Sequence, residues 1–354
     1  MPRRSLREQL EHDCARAQPV SGQSLAGLDL SGADLKAATL ESVDLSGANL
    51  RGADLREAVL SGCKLSGARL DEARLTHSVW HDCVASEACF GGADLREAQV
   101  FNSDLTGADF RDSQLRNVNF VRGKLGGANF SRTRSECLSI LDSDTAGIDL
   151  SGALLLRCLI MDADFTRASL LGTHLRAAVW MRVKLCGRDL SQLRCERVQF
   201  GNSDLTEANL SGVEFREGIS FYGAALDGAN LEGSRGDVMN FVQASLVGAN
   251  LKRLGAREGV FVEADLSSAD LSEADLERAV LQDAICVGTR FRGAKLTYAD
   301  FSRSDLCQAD LSDALMFRTR FHDIKEQDTV WGNRSIALGD DPALRRAENW
   351  KPTY

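Results

Sequence analysis

Several features that define common protein classes are scarce in this sequence of 354 residues. The ten cysteines include no CxxC pair, the spacing on which zinc ribbons and thiol redox sites depend. We therefore expect the thiols to be reduced and to act as small buried apolar groups. Aromatic residues make up only 6% of the chain, so small aliphatic side chains must fill most of the core.

Long apolar runs are also missing. The longest aliphatic stretch, near residues 153–156, is far shorter than the roughly 20 residues that a membrane-spanning helix needs. Arg3 and Arg4 are not followed by an apolar run, so the sequence predicts no signal peptide and no membrane association. We expect a cytoplasmic protein, although a secretion route without a cleaved signal would leave no such mark.

What the sequence does contain is a large apolar residue at almost every fifth position. The series begins at Leu25 and continues to Phe215, then resumes one residue out of phase at Phe221 and runs to Phe321. We call this the central position. A small residue lies two positions before it, Asp or Asn directly precedes it, and a polar residue and often Gly follow it.

A period of five is incompatible with a regular helix or strand that has a buried face. In a helix, successive central residues would point in all directions, and in a strand they would alternate between faces. The chain must therefore turn once per repeat and stack its turns into a solenoid. At every fourth repeat, one series is rich in aromatic and β-branched residues, as at Trp80, Trp180 and Phe241. Four repeats therefore form one coil with four faces.

The repeat resembles that of the pentapeptide-repeat family. Ala33-Asp34-Leu35, Ala53-Asp54-Leu55 and Ala108-Asp109-Phe110 carry this resemblance, which extends over residues 25–321. It implies an all-β fold, a right-handed quadrilateral parallel β-helix of about fifteen four-repeat coils. A coil spacing of about 4.8 Å predicts a rod roughly 70 Å long.

Both ends of such a solenoid need caps. Residues 1–24 are predicted to form an N-terminal cap with a short helix over residues 5–16, begun by a Ser5–Glu8 capping box and with Leu6, Leu10 and Cys14 on one face. Residues 322–354 are predicted to form a C-terminal tail with a capping helix over 342–349. Trp331 and Trp350 lie in this tail, as part of the cap or of a homodimer contact.

Seven central positions lack a large apolar residue, and the phase slips at residues 216–220, which predicts a bulge. Two further irregular stretches cover residues 131–147 and 233–259. They are either drift in the repeat or binding features, because irregularity on a rigid scaffold often marks function. Our candidate partner-binding residues are Arg235, Gly236, Lys252, Arg253, Ala256, Arg257, Trp331 and Trp350.

The sequence offers little support for catalysis. His77, His81 and Cys83 lie close together, but the repeat places Cys83 inward and both histidines outward, so they cannot converge on a metal. The aspartates recur at one slot of the repeat, which indicates structural or surface roles. We therefore predict a protein without enzymatic activity, cofactor or metal.

Three kinds of partner remain to be weighed. A bacterial protein-interaction scaffold or adaptor suits a long rod with mixed surface charge. One branch of the resembled family mimics DNA and protects type II topoisomerases such as gyrase, which would require a strong acidic stripe; the net charge of the whole chain is −9. An adaptor or effector of a secretion system is the third possibility. Direct binding of nucleic acid is not expected, because the chain has no basic stripe.

Overall fold

The computed structural model describes residues 5–236, 238–348 and 350. The chain divides into two compact units, residues 1–184 and 185–354, each of which is a parallel β-solenoid. None of the helices in the described residues is long and apolar enough to cross a membrane.

Regular elements are short because the chain turns every five residues. In the first unit these elements are α1 (Leu6–Ala15), β1 (Val20–Ser21), β2 (Thr39–Glu41), β3 (Val59–Ser61), β4 (Val79–His81), β5 (Gln99–Phe101), β6 (Gln114–Arg116), β7 (Asn119–Val121), β8 (Arg134–Glu136), β9 (Ser139–Leu141), β10 (Leu154–Leu156), β11 (Leu159–Met161), β12 (His174–Arg176) and β13 (Val179–Met181). In the second unit they are β14 (Arg194–Gln199), β15 (Phe215–Ser220), β16 (Met239–Asn240), β17 (Asp310–Leu311), β18 (Val330–Trp331), a 3₁₀ helix (Arg334–Ile336) and α2 (Pro342–Glu348).

Most repeats fold as the sequence predicts. The central residue and the small residue before it are buried, as for Leu35 and Ala33, both fully inaccessible to solvent. The next two residues form a turn, and the second of them has a positive φ, 65° at Gly52 for example. Many turns place a residue other than glycine there, such as Glu57 at 61°. The turn, rather than a strand, is therefore the unit that the motif specifies.

Successive coils pair in parallel, with each residue opposite its counterpart four repeats later, so the predicted four-repeat coil is confirmed. Leu60 pairs with Trp80, and Trp80 pairs with Val100. This register stacks the large rings, as predicted. Phe90, Phe110 and Phe130 form one stack in the first unit, with centroids 4.8 and 4.6 Å apart.

Helix α1 caps the first unit. The Ser5 hydroxyl accepts from the backbone N–H of Glu8, and the Glu8 carboxylate accepts from the N–H of Ser5, so the predicted capping box is present. Leu10 and Cys14 are buried, but Leu6 is 54% exposed. The predicted apolar face is therefore shorter than expected, because only its second half is covered. Burial and the neighbouring Asp13 raise the pKa of the Cys14 thiol to about 11.

The second unit contains the predicted slip. Between β14 and β15 the register changes from Glu196↔Arg216 to Val198↔Ile219, which defines a bulge. Gly218, with φ of 92°, lies in the bulged segment. Beyond it the ring stack continues undisturbed from Phe221 to Phe241, with centroids 5.2 Å apart.

The solenoid extends past Phe321, where the sequence placed the end of the array. Lys325 bridges to Asp305, β18 pairs with β17, and Leu338 bridges to Arg320. The five-residue period did not reveal this extension, because the next central position after Phe321 is occupied by Glu326, which is not apolar. Trp331 occupies the next central position, and its ring meets that of Phe321 edge to face at 5.0 Å.

Helix α2 follows this last turn, close to its predicted position, and is held by polar contacts. The buried side chain of His322 contacts Asp340 at 2.9 Å and Glu348 at 3.1 Å, and Glu348 also pairs with Arg303 at 3.1 Å. Arg345 pairs with Asp323 at 2.8 Å. No residue of α2 is buried, so the helix adds little apolar packing to the end of the solenoid.

Candidate functional site

The most irregular part of the second unit surrounds Gly236, which stands where a large central residue is expected. A Cβ atom at Gly236 would lie 2.9 Å from the Phe215 Cβ, 3.0 Å from the Phe215 carbonyl oxygen and 3.2 Å from the Met239 Cγ. Glycine is therefore required here, because the side chains of neighbouring positions already fill the space. Gly259 is confined in a similar way, 2.9 Å from the Ala256 carbonyl oxygen.

On the outer surface of the unit, next to this closely packed interior, lies a depression of about 680 Å³. Its walls are the bulge on one side and the backbone around Gly236 on the other. The lining residues are Glu214, Phe215, Arg216, Glu217, Gly218, Arg235, Gly236 and Val238. Arg216 pairs with Glu214 at 3.1 Å, and Glu217 pairs with Arg197 at 2.7 Å. Most charges at the bulge are thus neutralised in place.

Val238 lies on the rim of this depression in a strained conformation. Its φ is 53°, and it is the one β-branched residue with a positive φ among the described residues. The left-handed region is costly for a β-branched side chain, because Cβ and its substituents crowd the backbone. Its side chain is nevertheless 54% exposed, so no burial in the unit offsets this cost.

A second depression, of about 500 Å³, adjoins the first and shares Arg235 and Gly236 with it. Three of its cations form ion pairs: Arg253 with Glu232, Arg257 with Glu277, and Lys295 with Asp275 at 3.3 Å. Arg235 is exposed and forms no ion pair with any of the residues that the structure describes. We call the two depressions together the Arg235 notch.

The structure brings together four of the predicted partner-binding residues in this notch: Arg235, Gly236, Arg253 and Arg257. The other four lie elsewhere. Lys252 is exposed outside the lining and pairs with Asp270 at 3.4 Å. Ala256 is fully buried, so its side chain cannot touch a partner. Trp331 is partly buried at the last turn, and Trp350 is 72% exposed.

Sequence reasoning missed Val238 and the bulge residues as parts of the site. The signal was available in the phase slip, which the sequence located at residues 216–220. One coil later, the chain returns to the same face at Gly236 and Val238. The slip and the missing central residue therefore border one surface feature.

The three residues considered for metal binding lie as the repeat predicted. Cys83 is buried, whereas His77 and His81 are exposed. His77 contacts Glu97 at 3.3 Å and His81 contacts Asp82 at 2.7 Å. In the described part of the chain, no group of three or more His, Cys, Asp or Glu residues is arranged to hold a metal ion.

Comparison with known families adds to this geometry. A family model for pentapeptide repeats (8 copies) matches residues 194–233, 219–253, 260–297, 274–313 and 284–323. A second model, for a pentapeptide repeat region, matches residues 33–110 and 54–130. The matches lie in both units and together cover more than half of the chain. No curated protein matches this chain.

Solved structures with partial likeness include a trypsin-treated form of QnrB1, a plasmid-mediated fluoroquinolone resistance protein. It is 18% identical, with 52% of this chain and 92% of that chain covered and a TM-score of 0.44. HetL, a pentapeptide repeat protein involved in heterocyst differentiation regulation in the cyanobacterium Nostoc sp. strain PCC 7120, is 22% identical, with 90% and 97% covered and a TM-score of 0.30. A pentapeptide repeat protein of the Arabidopsis thaliana thylakoid lumen is 30% identical, with 30% and 74% covered and a TM-score of 0.23.

Proposed function

This chain belongs to the pentapeptide-repeat family, and we propose that it is a non-enzymatic scaffold that binds a protein partner at the Arg235 notch. The interior of each unit is filled with Leu, Phe and Ala side chains and leaves no room for a substrate. Function must then reside on the outside, where the notch is the feature that departs most from the repeat.

The observation that carries the proposal is the strained, exposed Val238 beside the exposed guanidinium of Arg235. Backbone strain of this kind persists where the surrounding structure imposes it, and it is concentrated at binding sites. Elsewhere in the notch most charges form ion pairs, although Glu273 of the second depression forms none with the described residues. Arg235 and Val238 therefore supply the positive charge and the apolar contact that remain available to a partner.

The chemistry of these two residues specifies what the partner must present. A guanidinium binds a carboxylate with two parallel hydrogen bonds, and the gain is larger where the pair is shielded from water. An apolar side chain next to that carboxylate would cover Val238. We expect the partner to insert an acidic residue flanked by an apolar one into the notch.

Affinity capture from source-cell lysate with full-length protein tests this. The charge reversal Arg235→Glu should abolish recovery of the partner that the wild-type chain retains. Arg51→Glu is the matched control: Arg51 is 53% exposed, pairs with the exposed Glu72 and lies in the first unit, outside the residues that line the notch, so recovery should not change. Circular dichroism of both variants must match that of the wild-type protein. A partner recovered equally well by both variants contradicts a site at Arg235.

The same capture addresses the alternative functions. A DNA mimic would return gyrase or topoisomerase IV subunits, and a secretion adaptor would return components of that apparatus. The aspartates that precede central residues bear on the first alternative. Several of them pair with cations one coil away, as Asp104 does with Lys124 at 3.2 Å and Asp305 does with Lys325 at 3.2 Å. Such pairing reduces the acidic stripe that mimicry of DNA requires.

A further inference from the structure

One outer face of the first unit carries a row of apolar side chains where the repeat normally places polar ones. Phe101, Val121, Leu141, Met161 and Met181 all follow a central residue, and each pairs in register with the next. All five are partly exposed. We call them the Phe101 stripe; its four steps cover about 19 Å along the solenoid.

The residues that precede the same central positions complete this face. At its two ends they are apolar: Val79 on one side, and Leu159 and Val179 on the other. In the middle, the Asn119 amide donates to the Gln99 side-chain oxygen at 2.8 Å, so these two polar groups already satisfy each other. Ser139, next to Asn119, is a further partly exposed polar residue of this row. The face is therefore mostly apolar, and burying it leaves few polar groups without partners.

Charged and polar residues form a rim along one edge of the face, at the second turn position of each coil. In chain order they are Asp82, Asn102, Arg122, Asp142, Asp162 and Arg182. Arg182 pairs with Asp162 at 2.6 Å, and the Arg122 side chain donates to Asn102 at 2.9 Å. Arg122 and Asp142 lie on adjacent coils, yet neither forms an ion pair within the described residues.

The charges of these six rim residues are complementary to those of the same rim in a second, antiparallel copy. Consider a two-fold axis that lies in the plane of the face, perpendicular to the solenoid, between Val121 and Leu141. It relates two copies that pack face to face and antiparallel, and the rim of each copy meets the rim of the other. Arg122 of each copy then meets Asp142 of the other. In the same arrangement Asn102 meets Asp162 and Asp82 meets Arg182. A shift of the axis by one whole coil toward Met161 would place Arg122 against Arg182 and Asp142 against Asp162.

We propose that the Phe101 stripe is a self-association surface at which two copies of this chain pack antiparallel. Arg122 and Asp142, the two rim charges that form no ion pair in the described residues, select a second copy because the two-fold axis pairs them twice. The proposal is independent of the Arg235 notch and differs from dimerisation through the C-terminal tail. A face about 24 Å long belongs to the small interfaces, so the dimer should be weak and in rapid exchange.

Sedimentation velocity of the full-length chain over a concentration series tests the register. Arg122→Asp and Asp142→Arg should each weaken the dimer at least about tenfold, because each places like charges together across the axis. The double variant restores both pairs and should recover the wild-type dissociation constant. Leu141→Glu should abolish association, whereas Leu171→Glu, at a side chain that is 68% exposed and outside the face, should leave it unchanged.

Disulfide trapping gives a second, geometric readout. Phe101 and Met161 are three coils apart, about 14 Å within one chain, too far for an internal disulfide. Across the proposed axis they face each other. Phe101→Cys combined with Met161→Cys should therefore form a covalent dimer on mild oxidation. Phe101→Cys combined with Met181→Cys, one coil out of register, should not do so above the level of the parent protein.

Two outcomes would overturn the proposal. One is a chain that stays monomeric throughout the series and yields no trapped dimer. The other is a dimer that survives Leu141→Glu but is lost with Trp350→Glu, at a side chain of the tail that is 72% exposed, which would assign the contact to the tail. Circular dichroism melts of every variant separate a lost contact from a lost fold.

Discussion

The Thr145 hydroxyl bonds to both backbone polar groups of Asp164 in the next coil. It donates to the Asp164 carbonyl oxygen at 3.1 Å and accepts from the Asp164 N–H at 3.0 Å. Thr145 occupies a central position and is fully buried. A polar side chain inside the solenoid is thus explained by the backbone groups that it satisfies.

Thr145→Val should therefore lower the free energy of unfolding by about 1–3 kcal/mol, because two backbone groups lose their partner while the shape of the side chain is kept. Chemical denaturation measures the change. Thr145→Ser retains the hydroxyl and should lose less. If the Thr145→Val variant is as stable as the wild-type protein, the backbone N–H and carbonyl groups of Asp164 have found other partners in the adjacent coils.

Gly236→Ala should destabilise the second unit by about 1–3 kcal/mol, since the new methyl group would press on the Phe215 Cβ and carbonyl oxygen. Thermal unfolding followed by circular dichroism provides the measurement. Gly339→Ala is the control, because a Cβ at Gly339 meets nothing within 4 Å. Equal effects of the two substitutions would contradict the packing described around Gly236.

Val238→Gly should raise the free energy of unfolding by about 1 kcal/mol, because glycine adopts a φ of 53° without crowding the backbone. The same change should weaken partner capture, since it removes the exposed apolar side chain of the notch. Val242, which follows a central residue and is not among the positive-φ residues, provides the control: Val242→Gly should destabilise. A Val238→Gly variant that loses both stability and binding would argue against stored strain.

Acid should weaken the solenoid through its aspartates. The Ser46 hydroxyl and the Ser46 backbone N–H lower the pKa of Asp44 below its ordinary value near 3.8. Ser191 and Ser312 act in the same way on the pKa values of Asp189 and Asp310. Such carboxylates stabilise the fold above the unfolded-state pKa, and that contribution is lost as the pH falls through the lower folded-state values.

Replacing Asp44, Asp189 and Asp310 together by Asn should flatten the acid limb of the stability curve below about pH 4. At neutral pH the change should be small, because an amide oxygen can accept the same backbone bond, as Asn49 does from the Arg51 N–H at 3.3 Å. Urea titrations at several pH values test both points. An unchanged acid limb would show that other groups dominate the pH dependence.

Much of this fold could be read from the sequence, because a five-residue period has one physical solution. Leu25 and its successors can all be buried only if the chain turns once per repeat, and the Trp80 series gives the number of faces. The capping box at Ser5 could also be predicted, since it depends on neighbouring residues alone. The exposure of Leu6 could not be predicted, because it depends on where the helix meets the coil.

The candidate site was only partly predictable. The sequence located Gly236 as a missing central residue, but it could not show whether the missing volume opens a groove or is filled by neighbours. Phe215 and Met239 fill it. The positive φ of Val238 follows from its place as the second residue after a central position, but its exposure beside Arg235 depends on how the bulge and the coil of Gly236 pack together.

The bulge at Gly218 also bears on how such chains change length during evolution. A single inserted residue is accommodated within one corner, and the ring of Phe221 still stacks on that of Phe241 in the following coil. An indel is therefore tolerated wherever a corner can absorb it, and a duplication of four repeats adds one more coil to the same lattice of contacts. The array can grow or shrink by recombination without a new core having to arise.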